Sequence, residues 1–125
     1  MLLQSISALL CPALVVLAAQ GADPGRVTFS AVATPVPVGQ AFEVTVRVDQ
    51  PTAADCERDV SVVGEFTHEQ AEAPLRLKGY CASKDGSLFR VGFVPDRAGE
   101  YSWRVVYQQG EFQRAGTGSV TVVRE

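Results

Sequence analysis

Beyond Arg26 the apolar residues of this chain recur at every second position, and that period of two constrains the fold more than any other feature. It is clearest in Phe42-Glu43-Val44-Thr45-Val46-Arg47-Val48-Asp49, where apolar and polar side chains alternate until Gln50-Pro51 ends the run. Such a segment is a central strand with one face in a core and the other in water. The same alternation predicts strands over residues 26–32 (Val27, Phe29 and Ala31 inward), 60–66, 75–78, 89–93, 101–108 (Tyr101, Trp103, Val105 and Tyr107 inward) and 119–124. No segment in this part of the chain has helical spacing. The stretch 34–39 carries Pro35 and Pro37, which cannot donate to a ladder, and is expected at an edge or as a crossover.

Short strands separated by turn signals such as Asp85-Gly86 describe an antiparallel two-sheet sandwich, with a small barrel as the alternative. The segment Asp96-Arg97-Ala98-Gly99-Glu100-Tyr101 narrows this further, because Asp-x-x-Gly-x-Tyr often leads into the penultimate strand of immunoglobulin-like sandwiches. There the tyrosine ring is buried while its hydroxyl bonds back to the preceding loop, and Trp103 stands where antibody domains place a cysteine. The expected fold is therefore all-β, an immunoglobulin-like antiparallel sandwich of about seven strands over residues 23–125. Phe29, Phe42, Phe66, Phe89, Phe93 and Trp103 form its expected core, and no cofactor is needed to account for its stability.

Residues 1–22 read differently. Met1 to Gln20 has no charged side chain, and its apolar run through Leu9 and Leu17 ends in the small residues Ala19, Gly21 and Ala22. A secretory signal peptide fits, and the chain is expected to be exported to the periplasm or beyond the cell. The run is too short and too interrupted by Pro12 for a stable membrane span of about 20 residues. Cys11 raises the alternative of a lipoprotein, which Ala8-Leu9-Leu10 suits poorly. A net charge of −3 with scattered charges excludes the basic stripe that nucleic acid requires. Cys56 and Cys81 remain after removal of the leader, and in an exported domain they are either a disulfide or two buried thiols.

Catalytic equipment is scarce. His68 is the only histidine and is expected in a solvated loop beside Glu65, Glu69 and Glu72. No Gly-x-Ser-x-Gly elbow occurs. Asp55, Glu57 and Asp59 crowd one loop and Glu65, Glu69 and Glu72 the next, as a glycosidase's carboxylates could, and the alternation of the first three could hold calcium, but without the glycine-turned loop of an EF-hand; both are read as solvated loops. No metal site is expected. Tyr80, Tyr107 and Phe112 are the candidates for stacking on a sugar ring; each also has a structural reading, Tyr107 as core, Tyr80 at a strand end and Phe112 as a staple in the last loop.

Taken together, Phe42–Val46, Asp59–Phe66, Gly79-Tyr80-Cys81, Asp85–Pro95 and Gly99–Trp103 carry a resemblance. This part of the chain resembles the immunoglobulin-like domain of unknown function at the N-terminus of secreted bacterial glycoside hydrolases, apiosidase-like and collagen-binding ones among them. The resemblance implies a non-catalytic accessory module that supports or contacts a hydrolase barrel or a polysaccharide. Glu125 falls where the barrel of such enzymes would begin, which leaves a separate small protein, a shortened gene and a module acting in trans as the readings to expect. The rival reading is a stand-alone extracellular module for protein interaction or adhesion.

Overall fold

The computed structural model describes residues 23–32 and 35–124. The leader read over 1–22, with Cys11 and its processing sites, lies outside the described residues. Strands β1 (Val27–Ala31), β2 (Val36–Pro37) and β3 (Phe42–Val48) are followed by a single helical turn, α1 (Cys56–Asp59). Then come β4 (Val60–His68), β5 (Leu75–Lys78), β6 (Tyr80–Cys81), β7 (Leu88–Phe93), β8 (Gly99–Gln109) and β9 (Phe112–Val123). They form two sheets, β1-β3-β7-β6 and β2-β9-β8-β4-β5. The first has the A-B-E-D order and the second contains the C-F-G set of an immunoglobulin-like sandwich, so the barrel alternative falls.

Alternation is what builds the interior. Phe42, Val44, Val46 and Val48 of β3, with Phe89, Val91 and Phe93 beside them on β7, face Val62 and Phe66 of β4 and the inward row of β8 across the sandwich, all buried. Each fully buried valine or phenylalanine contributes roughly 1.5–3 kcal/mol. Aromatic rings concentrate at both ends: Phe66 stacks on Phe93 at 4.5 Å with Tyr101 and His68 beside them, and Phe89 meets Tyr107 edge-on at 5.6 Å at the other. We call these the tyrosine-corner end and the hairpin end.

The proline stretch behaves as its chemistry demands. β2 runs parallel to the end of β9, while β1 belongs to the opposite sheet, so the chain changes sheets between them. Val38 N then donates to Val123 O at 2.9 Å, a bond neither proline could make.

Three features depart from expectation. Residues 52–59 are not all loop: Asp55 caps α1, its Oδ1 accepting from Glu57 N at 3.1 Å, and Asp59 Oδ2 accepts from Asp55 N at 3.0 Å. One helical turn is too short to leave a period in sequence. The final strand begins at Phe112 instead of Ser119, turning from β8 through Gly110, which has φ +61°, and Glu111. Its first half hid behind Ala115, Gly116 and Gly118, which carry no alternating apolar side chains. They are small because a Cβ on Gly116 would enter the ring of Phe29, and one on Gly118 would come within 2.6 Å of Trp103 Cζ2. Lastly, β4 continues through His68, so that histidine is a strand residue.

Candidate binding surface

His68 is not solvated: it is the one buried polar or charged residue among the described residues, at 6% exposure. Alternation carries it inward from Phe66, and its imidazole packs edge-on against Tyr101 at 4.8 Å. Nδ1 accepts from Gln70 N at 3.1 Å and from Arg97 Nη2 at 2.8 Å, which leaves Nε2–H to donate to Ala98 O at 2.9 Å. A ring tied at both nitrogens to the loops after β4 and β7 holds those loops together and has no nitrogen left for a substrate. Gly99 makes room for the ring: its φ is +132° and a Cβ there would lie 2.5 Å from His68 Nε2. Tyr101 completes the corner as expected, its hydroxyl donating to Arg97 O at 3.1 Å. Burial, and then the charge of Asp96, push that hydroxyl's pKa up.

The predicted stacking residues are scattered. Tyr80 is half exposed on the outer face of the four-stranded sheet, its hydroxyl 3.4 Å from Glu43 Oε2, to which it donates. Tyr107 is core, at 1% exposure, closed in by Phe89 and by Phe112 at 6.1 Å, so it offers no face to a sugar. Its hydroxyl donates to Gln109 Oε1 at 2.9 Å, and burial raises its pKa. Phe112 is half-buried in β9, with the Arg114 guanidinium 4.2 Å from its ring centre. Of the three, Tyr80 is the one left with an open ring.

Cys56 and Cys81 form a disulfide with Cα atoms 6.2 Å apart, fastening α1 to the short edge strand β6. Several acidic residues serve the backbone. Asp55 and Asp59 cap α1, and Glu69 Oε2 accepts from Glu100 N at 3.0 Å. Asp85 Oδ1 accepts from Ser87 Oγ and from Ser83 Oγ in the turn at Gly86, and these bonds, that of Ser87 foremost, hold its carboxyl below the usual aspartate pKa.

Besides a hollow of about 240 Å³ lined by Arg26, Thr28, Arg47 and Asp49 on the four-stranded sheet, two concave regions stand out among the described residues. A cleft of about 470 Å³ opens at the tyrosine-corner end, walled by His68, Arg97 and Phe93 and rimmed by the exposed Leu75 and Val94. The other is the outer face of the five-stranded sheet, where two shallow hollows of about 260 and 320 Å³ share Glu65 and Arg104. Sequence reasoning put Ser102, Arg104, Val106 and Gln108 on the outward side of β8 but gave them no role. A solvated face and a binding face have the same alternation.

The family model for the Domain of unknown function (DUF5060) matches residues 36–108, from β2 into β8. The chain belongs to this family. No curated protein matches it. Among solved structures, the DUF5060 chain is similar to a protein of Bacteroides vulgatus ATCC 8482 described as a "putative glycoside hydrolase", with a TM-score of 0.53 and 20% identity over 72% of this chain. It spans only 16% of that protein. An engineered protein gives a TM-score of 0.50 at 18% identity, over 80% of this chain and 21% of that one. Identities this low show a shared fold.

Proposed function

We propose that this DUF5060 domain is a non-catalytic, exported accessory module that works beside a glycoside hydrolase, N-terminal to it where the two share a chain, and contacts the enzyme or its glycan. The observation that carries the reading is the small share, 16%, of a "putative glycoside hydrolase" that this fold accounts for, joined to a family match over residues 36–108. A sandwich of that share is a minor part of a larger polypeptide, and the greater part is where an active site would reside. The side chains support this: His68 is tied at both ring nitrogens and the acidic groups described above bond to backbone, turn hydroxyls or Arg76. The Cys56–Cys81 disulfide favours an oxidising compartment, in keeping with export.

The protein incubated with aryl glycosides and polysaccharides is expected to release no reducing ends, and polysaccharide cast into a native gel should slow its migration. Release of reducing ends would sink the non-catalytic reading. Free migration in every gel, with no capture by a glycoside hydrolase barrel, would sink the accessory one. The rival reading, a protein-interaction module, draws on Leu75 and Val94, which stand 49% and 58% exposed at the rim of the cleft. It predicts that Val94→Asp abolishes capture of a protein partner and leaves migration through polysaccharide unchanged.

A further inference from the structure

The outer face of the five-stranded sheet has an order that solvation alone does not require. Across the strands, Thr117, Arg104, Glu65 and Arg76 stand in one row, because Arg104 pairs with Thr117 and with Glu65, and Glu65 with Arg76. The next row toward the hairpin end is Ala115, Val106, Val63 and Lys78, and the next is Gln113, Gln108 and Ser61. Arg76, Lys78 and Arg104 thus surround the single carboxylate of Glu65, a local excess of positive charge in a chain whose net charge is −3. Glu65 spends its carboxylate on Arg76, at 2.7 Å. Arg104, directly across the ladder, is left without an ion pair among the described residues. Arg104 lines both hollows.

We infer that this face binds an acidic oligosaccharide, a chain of sugar rings bearing uronate carboxylates, with Arg104 receiving a carboxylate. The inference rests on the accessory-module reading and names the class of glycan. Arg104 supplies the planar, two-pronged donor that suits a carboxylate. Val63 and Val106 form an apolar floor for the C–H face of a sugar ring, and the amides of Gln108 and Gln113, opposite each other in the ladder, suit neighbouring hydroxyls. The hollows are shallow and consecutive, a shape that takes an extended chain lying on the sheet. Amides and hydroxyls outnumber cations here, which disfavours a phosphate polymer, whose binding depends on dense positive charge. At the opposite end of the face stand Glu100, which accepts from Thr121, and Glu69, so the carboxylates belong toward the hairpin end.

Titration calorimetry of the protein with a galacturonic acid hexamer, and with a neutral galactose hexamer, tests this. The acidic oligomer is expected to bind more tightly and to weaken with added salt. Arg104→Ala should weaken it at least about tenfold, the loss of one charge-assisted pair. Arg47→Ala removes an exposed cation from the other sheet and should leave binding unchanged. Equal affinity for the two oligomers, or equal effects of the two variants, overturns the inference and leaves the accessory reading standing. Binding of neither oligomer overturns it too. The accessory reading fails by a different readout, free migration in every polysaccharide gel with no capture by a glycoside hydrolase barrel.

Discussion

Two glycines of this domain are fixed by the aromatic side chains they touch, for different reasons. Gly99 has φ +132°, a region open almost only to glycine, and a Cβ there would lie 2.5 Å from His68 Nε2 and 2.7 Å from Glu69 Oε2. Gly118 has no such backbone demand; it is small because the indole of Trp103 lies over it from the neighbouring strand, as aromatic rings do over sheet glycines. Gly99→Ala should therefore carry both strain and collision and lower stability by about 2–4 kcal/mol, whereas Gly118→Ala should cost about 1–3 kcal/mol through overpacking alone. Urea midpoints measure both losses. Trp103 fluorescence separates them: the indole is 7% exposed, and its emission should move to the red in folded Gly118→Ala and not in folded Gly99→Ala. An unshifted spectrum and midpoint in Gly118→Ala would mean that the indole yields without cost.

Among the elements, α1 and β6 are two of the shortest, one of four residues and the other of two, and the Cys56–Cys81 bridge joins them. Closing 25 residues of chain restrains the unfolded state by about 3 kcal/mol in the chain-entropy account. Unfolding followed with and without a phosphine reductant should show a loss near that size, and Cys56→Ser with Cys81→Ser should reproduce it; equal midpoints would mean that the bridge restrains nothing. The pairing could not be read from sequence, because neither α1 nor the turn of chain that brings β6 beneath it leaves a periodic trace. Long, fully alternating strands such as β3 and β8 were legible, since a period of two is written by burial of one face. The first half of β9 was not, because Arg114 stands opposite the inward Tyr107 and the next inward positions, Gly116 and Gly118, are glycines filled by rings from β1 and β8. The candidate site was legible only in part: alternation placed Arg104 and Gln108 outward, but their alignment with Glu65, Arg76 and Gln113 depends on cross-strand register, which one strand cannot reveal.

For the whole molecule, β8 acts as the spine, with a tyrosine hydroxyl at each end of its inward row. Tyr101 donates to Arg97 O at the tyrosine-corner end, and Tyr107 to Gln109 Oε1 at the hairpin end, where Gln109 Nε2 in turn donates to Thr52 Oγ1 at 3.0 Å. Both hydroxyls have pKa values raised above the ordinary tyrosine value of 10.0, chiefly by burial, with the charge of Asp96 adding to the effect at Tyr101. Above that value the unfolded chain loses protons that the folded chain keeps, so the unfolded state binds fewer protons and stability must fall as pH rises. Their contribution is intact below pH 10 and is lost as pH climbs from there through the folded-state values. Because the two groups sit at opposite ends, ionisation of either opens one end of a sandwich whose core is shared, and unfolding should be cooperative across the domain. Urea midpoints measured from pH 8 upward should hold level and then drop beyond pH 10, with phenolate absorbance rising in step with loss of β-sheet signal. Replacing both residues by phenylalanine should give a less stable protein with a flatter dependence on pH. If phenolate absorbance instead appears while the sheet signal is intact, the two hydroxyls ionise without unfolding, and the two ends of β8 are looser than their hydrogen bonds indicate.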